Sequence, residues 1–359
     1  MREPITATIL FVWLLSFALS AVLVGVVRSR ALKGALLDMP NERSLHTAPT
    51  PRGGGLGIVA AFYASTLCLP LLSDQRHLMG PLLLGGIPIA VVGWKDDHGH
   101  VPPKWRALVH ILSGLLAFGA ILFWNLAVDI TLLDIAWLIC ATIAGAYFLN
   151  IFNFMDGIDG LAGSEGAFAA LAGGALMTRF AVPRPYEDFA DSYFFHARGL
   201  APFCITLGLC CAGFLVWNWP PARIFMGDVG SGFIGFALAF FALCETREDA
   251  SSLWMWLILL GAFVVDGTYT LFTRFRTKQK WYEAHRLHAF QKATLRAGNH
   301  RTVTLAVLAI NVVWLLPLAA IAAKRPDLGL WITLIAYAPL VLLVRSYRAG
   351  QLESTPVAQ

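Results

Sequence analysis

A chain of 359 residues that is 57% hydrophobic and only 14% charged has more apolar surface than a soluble core can bury. That excludes an ordinary globular protein and points to an all-α, polytopic membrane protein, as does the mean hydropathy of +0.66. The net charge of +5 says little by itself, because in a membrane protein the placement of charge matters more than its sum. All six cysteines fall inside or at the ends of apolar runs with no Cys-x-x-Cys, so they read as packing residues.

Taken in chain order, apolar segments predict membrane helices near 5–27, 55–72, 78–94, 106–124, 130–149, 161–178, 200–217, 231–245, 252–273, 302–323 and 328–344, about eleven spans. The first reads as a retained span rather than a cleaved leader. Residues 1–348 form one transmembrane domain, and 349–359 a short, polar, disordered tail. Five basic residues fall between 28 and 52, three between 95 and 106, and eight between 274 and 301. These loops alternate with poorer ones, so the positive-inside rule predicts N-out, C-in with the basic loops cytoplasmic. The longest outer loop, 179–199, mixes charges with aromatics and suggests a contact surface without chemistry.

The polar motifs sit at the ends of these segments. The first inner loop holds Asp38, Asn41, Arg43 and His46, then Arg52 beside Gly53-Gly54-Gly55. Consecutive glycines beside an arginine suit an anion nest, or simply close helix packing. The second inner loop holds Asp96-Asp97, adjacent carboxylates that need a cation or a basic neighbour, or else a solvated loop start. Asn150-Ile-Phe-Asn153-Phe-Met-Asp156-Gly-Ile-Asp159-Gly places four polar groups three residues apart, on one face if helical. Such oxygen ligands suit magnesium or sugar hydroxyls, although Asp-Gly is also ordinary turn chemistry. Met226-Gly-Asp228-Val-Gly-Ser places Asp228 at a helix start, either as an N-cap or as a metal ligand. Asp266 lies close enough to the membrane interior to need a partner. The loop that follows carries His285, Arg286 and His288, suited to a diphosphate or to anionic lipid. His77, His100, His110, His196 and His300 read as structural or solvated.

In this order and spacing, Asp38-x-Pro-Asn-x-Arg-x-x-His, Arg52-Gly-Gly-Gly, Asp96-Asp97, the Asn150–Gly160 motif, Met226-Gly-Asp-x-Gly-Ser and the histidine loop carry a resemblance. Across about Asp38 to Gln291 the chain resembles the polyprenyl-phosphate N-acetylhexosamine-1-phosphate transferases. These include the phospho-MurNAc-pentapeptide translocase and the O-antigen-initiating enzymes, whose span layout the chain is more similar to. The resemblance implies a transferase at the cytoplasmic face of a bacterial inner membrane, with magnesium as cofactor and manganese as the alternative. It implies undecaprenyl phosphate and a UDP-N-acetylhexosamine as substrates, UMP as product, no nucleic-acid partner, and a homodimer as compatible. It assigns Asp96 as base with Asp97 in support, and Asp228 as a magnesium ligand together with Asp156. Asp38, Asn41, Arg43, Arg52, Asn150, Asn153, Asp156 and Asp159 would line the substrate pocket, with His285, Arg286 and His288 on the diphosphate.

The histidine loop departs from the family's tighter cluster, since Arg286 and Leu287 separate the two rings; this form resembles a branch that uses modified amino sugars such as N-acetylfucosamine. Direct attack by the lipid phosphate and a phospho-aspartate intermediate both fit these residues; direct attack needs only one base and one metal. A transporter would place its ionisable residues near mid-membrane, whereas these cluster at span ends. A lipid-binding scaffold would need neither Asp228 nor the Asp96–Asp97 pair.

Overall fold

The computed structural model describes residues 7–34, 36–40, 48–69, 76–123, 129–180, 197–280 and 285–352. The chain runs α1 (Ala7–Lys33), β1 (Leu37–Asp38), β2 (Thr50–Pro51), α2 (Gly55–Thr66), α3 (Arg76–His98), α4 (Pro103–Phe123), α5 (Leu132–Met155) and α6 (Leu161–Phe180). It continues through α7 (Ala197–Asn218), α8 (Asp228–Glu248), α9 (Ser252–Leu259), α10 (Gly261–Arg276), α11 (Ala289–Ala297) and α12 (His300–Ala309). A π-helical turn (Ile310–Leu315) joins α12 to α13 (Leu316–Lys324), and α14 (Gly329–Ser346) is the last helix. The one sheet among the described residues is β1 against β2, antiparallel, with Asp38 opposite Thr50.

Eight helices are long and apolar enough to cross a membrane, and α9 with α10 makes a ninth if counted as one span. The 21 residues of α8 reach about 32 Å, close to the thickness of a hydrocarbon core. The all-α polytopic expectation holds, and each predicted span contains a helix. Two of them are not full apolar crossings. The 12 residues of α2 reach only about 18 Å, and α6 is rich in glycine and alanine and carries Glu165. The segment expected as one span at 252–273 bends by 73° between α9 and α10, beside Gly261, a common site of helix kinks.

The bundle is organised around α8, which is buried along most of its length between α3, α5, α2 and α7. Phe233, Phe236, Phe240 and Phe241 project from it into rings such as Phe118, which stacks on Phe240 at 6.0 Å between centroids. Lipid is as apolar as phenylalanine, so these contacts stabilise through close packing rather than through removal from water. The approach of α3 to α8 depends on Gly93, where a Cβ would lie 2.5 Å from the carbonyl oxygen of Asp228. That contact carries the next turn of α3, with Asp96 and Asp97, onto the start of α8.

Ionisable residues inside the bundle are partnered, as a low-dielectric surround requires. Glu165 accepts a hydrogen bond from Asn311 Nδ2 on the π turn at 2.5 Å, and Glu245 accepts one from Trp256 Nε1 at 2.5 Å. All six cysteines are free and four are buried, but Cys140 is exposed on the bundle surface. Ala349 and Gly350, assigned above to the tail, are buried instead, while Gln351 and Leu352 are exposed. Ala349 is fully buried, Gly350 N donates to Leu287 O at 2.8 Å, and Lys292 Nζ donates to the carbonyls of Arg348 and Gln351. The 179–199 loop lies mostly, and residues 353–359 wholly, outside the described residues.

Candidate active site

The last turns of α3 and α5 and the first turns of α2, α4 and α8 converge at one end of the bundle, and their polar residues form one cluster. Its anchor is Asp97, whose side chain is fully buried. Its Oδ1 accepts from Asp228 N at 2.9 Å and its Oδ2 from Val229 N at 3.2 Å. A carboxylate from α3 therefore caps α8 in trans, meeting amides that have no partner within their own helix and the positive end of the helix dipole. The arrangement needs Gly227, which has φ +76° and where a Cβ would fall 2.5 Å from Asp97 Oδ2. Asp228 is thus not the N-cap of α8 but its first residue, with its own carboxylate available.

Two arginines hold that carboxylate. Arg52 bridges Asp97 Oδ1 (2.9 Å from Nε) and Asp228 Oδ1 (3.2 Å from Nη2). Arg106 Nη1 lies 2.5 Å from Asp96 Oδ2 and 3.0 Å from Asp228 Oδ2. Asp96 Oδ1 also accepts from Val101 N at 2.7 Å. Burial works against the charge on Arg52, but Asp97, Asp228, Asp38 and Asp156 more than offset it and raise its pKa. The β1–β2 pair accounts for the nearness of Asp38, since Asp38 faces Thr50 two residues before Arg52.

The glycines after Arg52 are not an anion nest. Gly54 N donates to Phe225 O and Gly55 N to Met226 O, so both amides are already engaged. A Cβ on Gly55 would lie 2.2 Å from Gly230 Cα. These glycines allow the backbone of α2 to touch the backbone of α8, which is what sets Arg52 over Asp228.

The four-residue ladder at 150–159 does not stay on one helical face, because α5 ends at Met155 and Asp156 is already non-helical at φ −81°, ψ 64°. Asn150 points back to Ala146 O and towards His110. Asn153 Nδ2 donates to Ser231 Oγ at 2.9 Å. Asp156 turns into the cleft, where desolvation and then the Asp228 charge push its carboxyl up to about 7. Asp159 faces the other side of its loop, to Ala222 and His300, where it lines a cavity.

The histidine loop lies against this same stretch. His285 and His288 stack with centroids 4.9 Å apart, and both rings face Phe154. Asp266 finds its partner here. It accepts from Ala289 N and Phe290 N at 3.0 Å each, capping α11, and lies 3.3 Å from His288 Nδ1. His288 is only 1% exposed. Among the described residues, the buried Nε2 atoms of both histidines have no hydrogen-bond partner. Burial, then His288 and Arg274, lowers His285 to about 3, so near neutral pH it hydrogen-bonds as an uncharged ring rather than pairing as a cation. Arg286 sits between them, half-buried.

The structure therefore gathers Asp38, Arg52, Asp96, Asp97, Asn153, Asp156 and Asp228, with His285, Arg286 and His288 alongside. Asn41 and Arg43 lie outside the described residues. Arg106, which bridges Asp96 and Asp228, is a site residue that the motifs do not mark. Its one signal is an arginine in the first turn of the helix that follows the carboxylate pair. His110, beside Asn150, and His300, beside Asp159, also belong to this end of the bundle rather than to solvent.

Among the described residues, no three His, Cys, Asp or Glu side chains are grouped to hold a metal. Magnesium needs fewer, since it usually takes one or two carboxylates and completes its shell with water and substrate phosphates. Asp96, Asp97 and Asp228 are paired with two arginines, and among the described residues Asp156 beside them carries no side-chain hydrogen bond. An excess of oxygen anions over cations fits a divalent ion held by Asp228 and Asp156.

The model for glycosyl transferase family 4 matches residues 79–245. A probable undecaprenyl-phosphate N-acetylglucosaminyl 1-phosphate transferase of Bacillus subtilis is 24% identical over 353 residues, covering 94% of this chain and 90% of its own. A phospho-N-acetylmuramoyl-pentapeptide-transferase of Thermosynechococcus vestitus is 31% identical over 298 residues, covering 74% and 70%. A decaprenyl-phosphate N-acetylglucosaminephosphotransferase of Mycobacterium tuberculosis is 32% identical over 230 residues, covering 60% of this chain and 55% of its own, so the match spans about half of that relative.

Proposed function

Because the chain belongs to glycosyl transferase family 4, whose members here are membrane enzymes that transfer phospho-sugars, we propose that it moves an N-acetylhexosamine-1-phosphate from a UDP-sugar to undecaprenyl phosphate. UMP is released, and the lipid-linked product starts a cell-surface polysaccharide such as an O-antigen. The basic loops favour a cytoplasmic site in a bacterial inner membrane. The observation that carries this reading is Asp228 held between Arg52 and Arg106 at the end of a bundle of membrane-length helices, with Asp96 and Asp97 on the same arginines.

In this reading Asp97 is fixed, because both its oxygens take amides of α8, and it keeps Arg52 and Asp228 in register. Asp96 is the more open carboxylate and takes the proton from the acceptor phosphate. An acceptor oxygen then attacks the sugar-bearing phosphorus, its bond to the bridging oxygen breaks, and UMP leaves with the electron pair. Asp228 and Asp156 would hold magnesium, which when bound would supply charge stabilisation for the phosphates. Arg52, Arg286, His288 and the uncharged His285 ring hydrogen-bond the diphosphate as its charge shifts. Direct attack is favoured over a phospho-aspartate, because one carboxylate base and one metal suffice for it.

The test is an assay of the purified protein with undecaprenyl phosphate, magnesium and a panel of UDP-N-acetylhexosamines, reading UMP and lipid-linked product. Turnover with one donor, lost on chelation and in Asp228→Asn, is the expected result. Absence of UMP from every donor with folded protein would overturn the reading and favour a transporter.

A further inference from the structure

Asp159 is held by more outside partners than any other residue of its loop. Its Oδ2 accepts from Ala222 N at 2.9 Å. Its carbonyl accepts from Thr304 Oγ1 at 2.8 Å. The next amide, Gly160 N, donates to Asn218 Oδ1 at 2.9 Å. The remaining two contacts fall on one atom. His300 Nδ1 accepts from Asp159 N at 3.2 Å and lies 3.1 Å from Asp159 Oδ1.

His300 and Thr304 are one turn apart on α12, so a single helix face presents the ring and the hydroxyl to the same residue. The start of α12 is itself fixed, because Asn299 Oδ1 caps it by accepting from Thr302 N at 2.8 Å. Eleven residues after His300, Asn311 ties the π turn to Glu165 of α6, the helix that begins just after Asp159. The two helices are thus locked to each other on both sides of this contact. A cavity of about 810 Å³ opens at the junction, with Asp159, Ala222, Phe225, His300 and Arg301 among its walls.

We propose that His300 is a positioning residue of the donor pocket. By accepting the amide of Asp159, it sets the wall that the nucleotide half of the donor meets. It therefore governs donor affinity rather than the rate of phosphoryl transfer, which takes place at the Asp96–Asp228 cluster. This rests on the reading of Asp159 as a donor-pocket residue. A neutral His300 that accepts at Nδ1 carries its proton on Nε2, which faces away from Asp159.

The test uses the full chain with His300→Ala, His300→Asn and His300→Gln. In His300→Ala the Asp159 amide loses its acceptor, and the donor KM rises about tenfold. The kcat stays within about threefold, and the KM for undecaprenyl phosphate is unchanged. Asparagine places an amide oxygen where Nδ1 lies and an amide N–H towards the carboxylate, so His300→Asn returns the donor KM to within about threefold of wild type. Glutamine, one methylene longer, does not. A donor KM within twofold of wild type in His300→Ala, a fall confined to kcat, or equal behaviour of the Asn and Gln variants overturns the proposal.

Calorimetry with UDP alone separates this from the function itself. If the wild type turns over no UDP-sugar, the transferase reading fails. UDP bound about tenfold more weakly by His300→Ala still supports the positioning role. Equal UDP affinity, or no UDP binding by the wild type, overturns it.

Discussion

Replacing Arg106 with Gln removes the only cation that touches both Asp96 and Asp228 among the described residues. One nitrogen serves both carboxylates, at 2.5 and 3.0 Å. At an effective dielectric of about 20, each such contact amounts to roughly 6 kcal/mol of Coulomb energy before desolvation is subtracted. Breaking a fully buried pair costs about 3–5 kcal/mol. The Arg106 side chain is 24% exposed, so water replaces part of the interaction. A net cost of about 2 kcal/mol follows once that screening is allowed for. If the loss falls on the transition state, it lowers kcat/KM about thirtyfold. The assay is initial UMP release at saturating acceptor, with Arg106→Lys alongside. Lysine keeps the charge as a point and recovers only part of the loss, because it lacks the planar fork. A double-mutant cycle with Asp228→Asn, read by thermal unfolding, isolates the pair. If Arg106→Gln keeps kcat/KM within threefold of wild type and the cycle is additive, the bridging role is wrong.

Two further substitutions probe what sets the site. Gly55→Ala puts a methyl 2.2 Å from Gly230 Cα, a backbone atom that cannot step aside, so α2 is displaced from α8. The expected result is a destabilisation of about 3 kcal/mol or more, with Arg52 carried off Asp228. A melting temperature equal to wild type would refute the close-packing account. Asp266→Ala removes the oxygens that accept from Ala289 and Phe290 and the partner of His288. Loss of a cap costs about 1–2 kcal/mol, and the histidine loop loosens. Faster amide exchange at 285–291 with unchanged exchange in α8 is the expected signature.

How much of this was legible in the sequence differs from residue to residue. The membrane class, the helical fold and most of the site motifs followed from local features. Apolar runs of bilayer length have one stable solution, and carboxylates at their ends stand out against an apolar background. Asp96, Asp97, Asp156 and Asp228 were identified in this way, and the structure brings them together. Their partners were not visible. Arg106 reads as one more basic loop residue until α4 is packed beside α3, and His300 reads as structural or solvated until α12 meets the Asp159 loop. The glycines after Arg52 suited a nest by local geometry, but the proximity of Phe225 and Met226, about 170 residues later, engages their amides instead. The ladder at 150–159 suited either a helical face or an Asp-Gly turn, because spacing alone does not reveal where a helix stops. For Asp228 the sequence left N-cap and metal ligand both open, since the carboxylate that caps α8 belongs to Asp97, on another helix. Short-range chemistry therefore determined which residue types were present and at which ends. Only tertiary packing decided which charge each one faces, because in a low-dielectric cluster a carboxylate's role is set by its nearest cations and amides, and those come from distant parts of the chain.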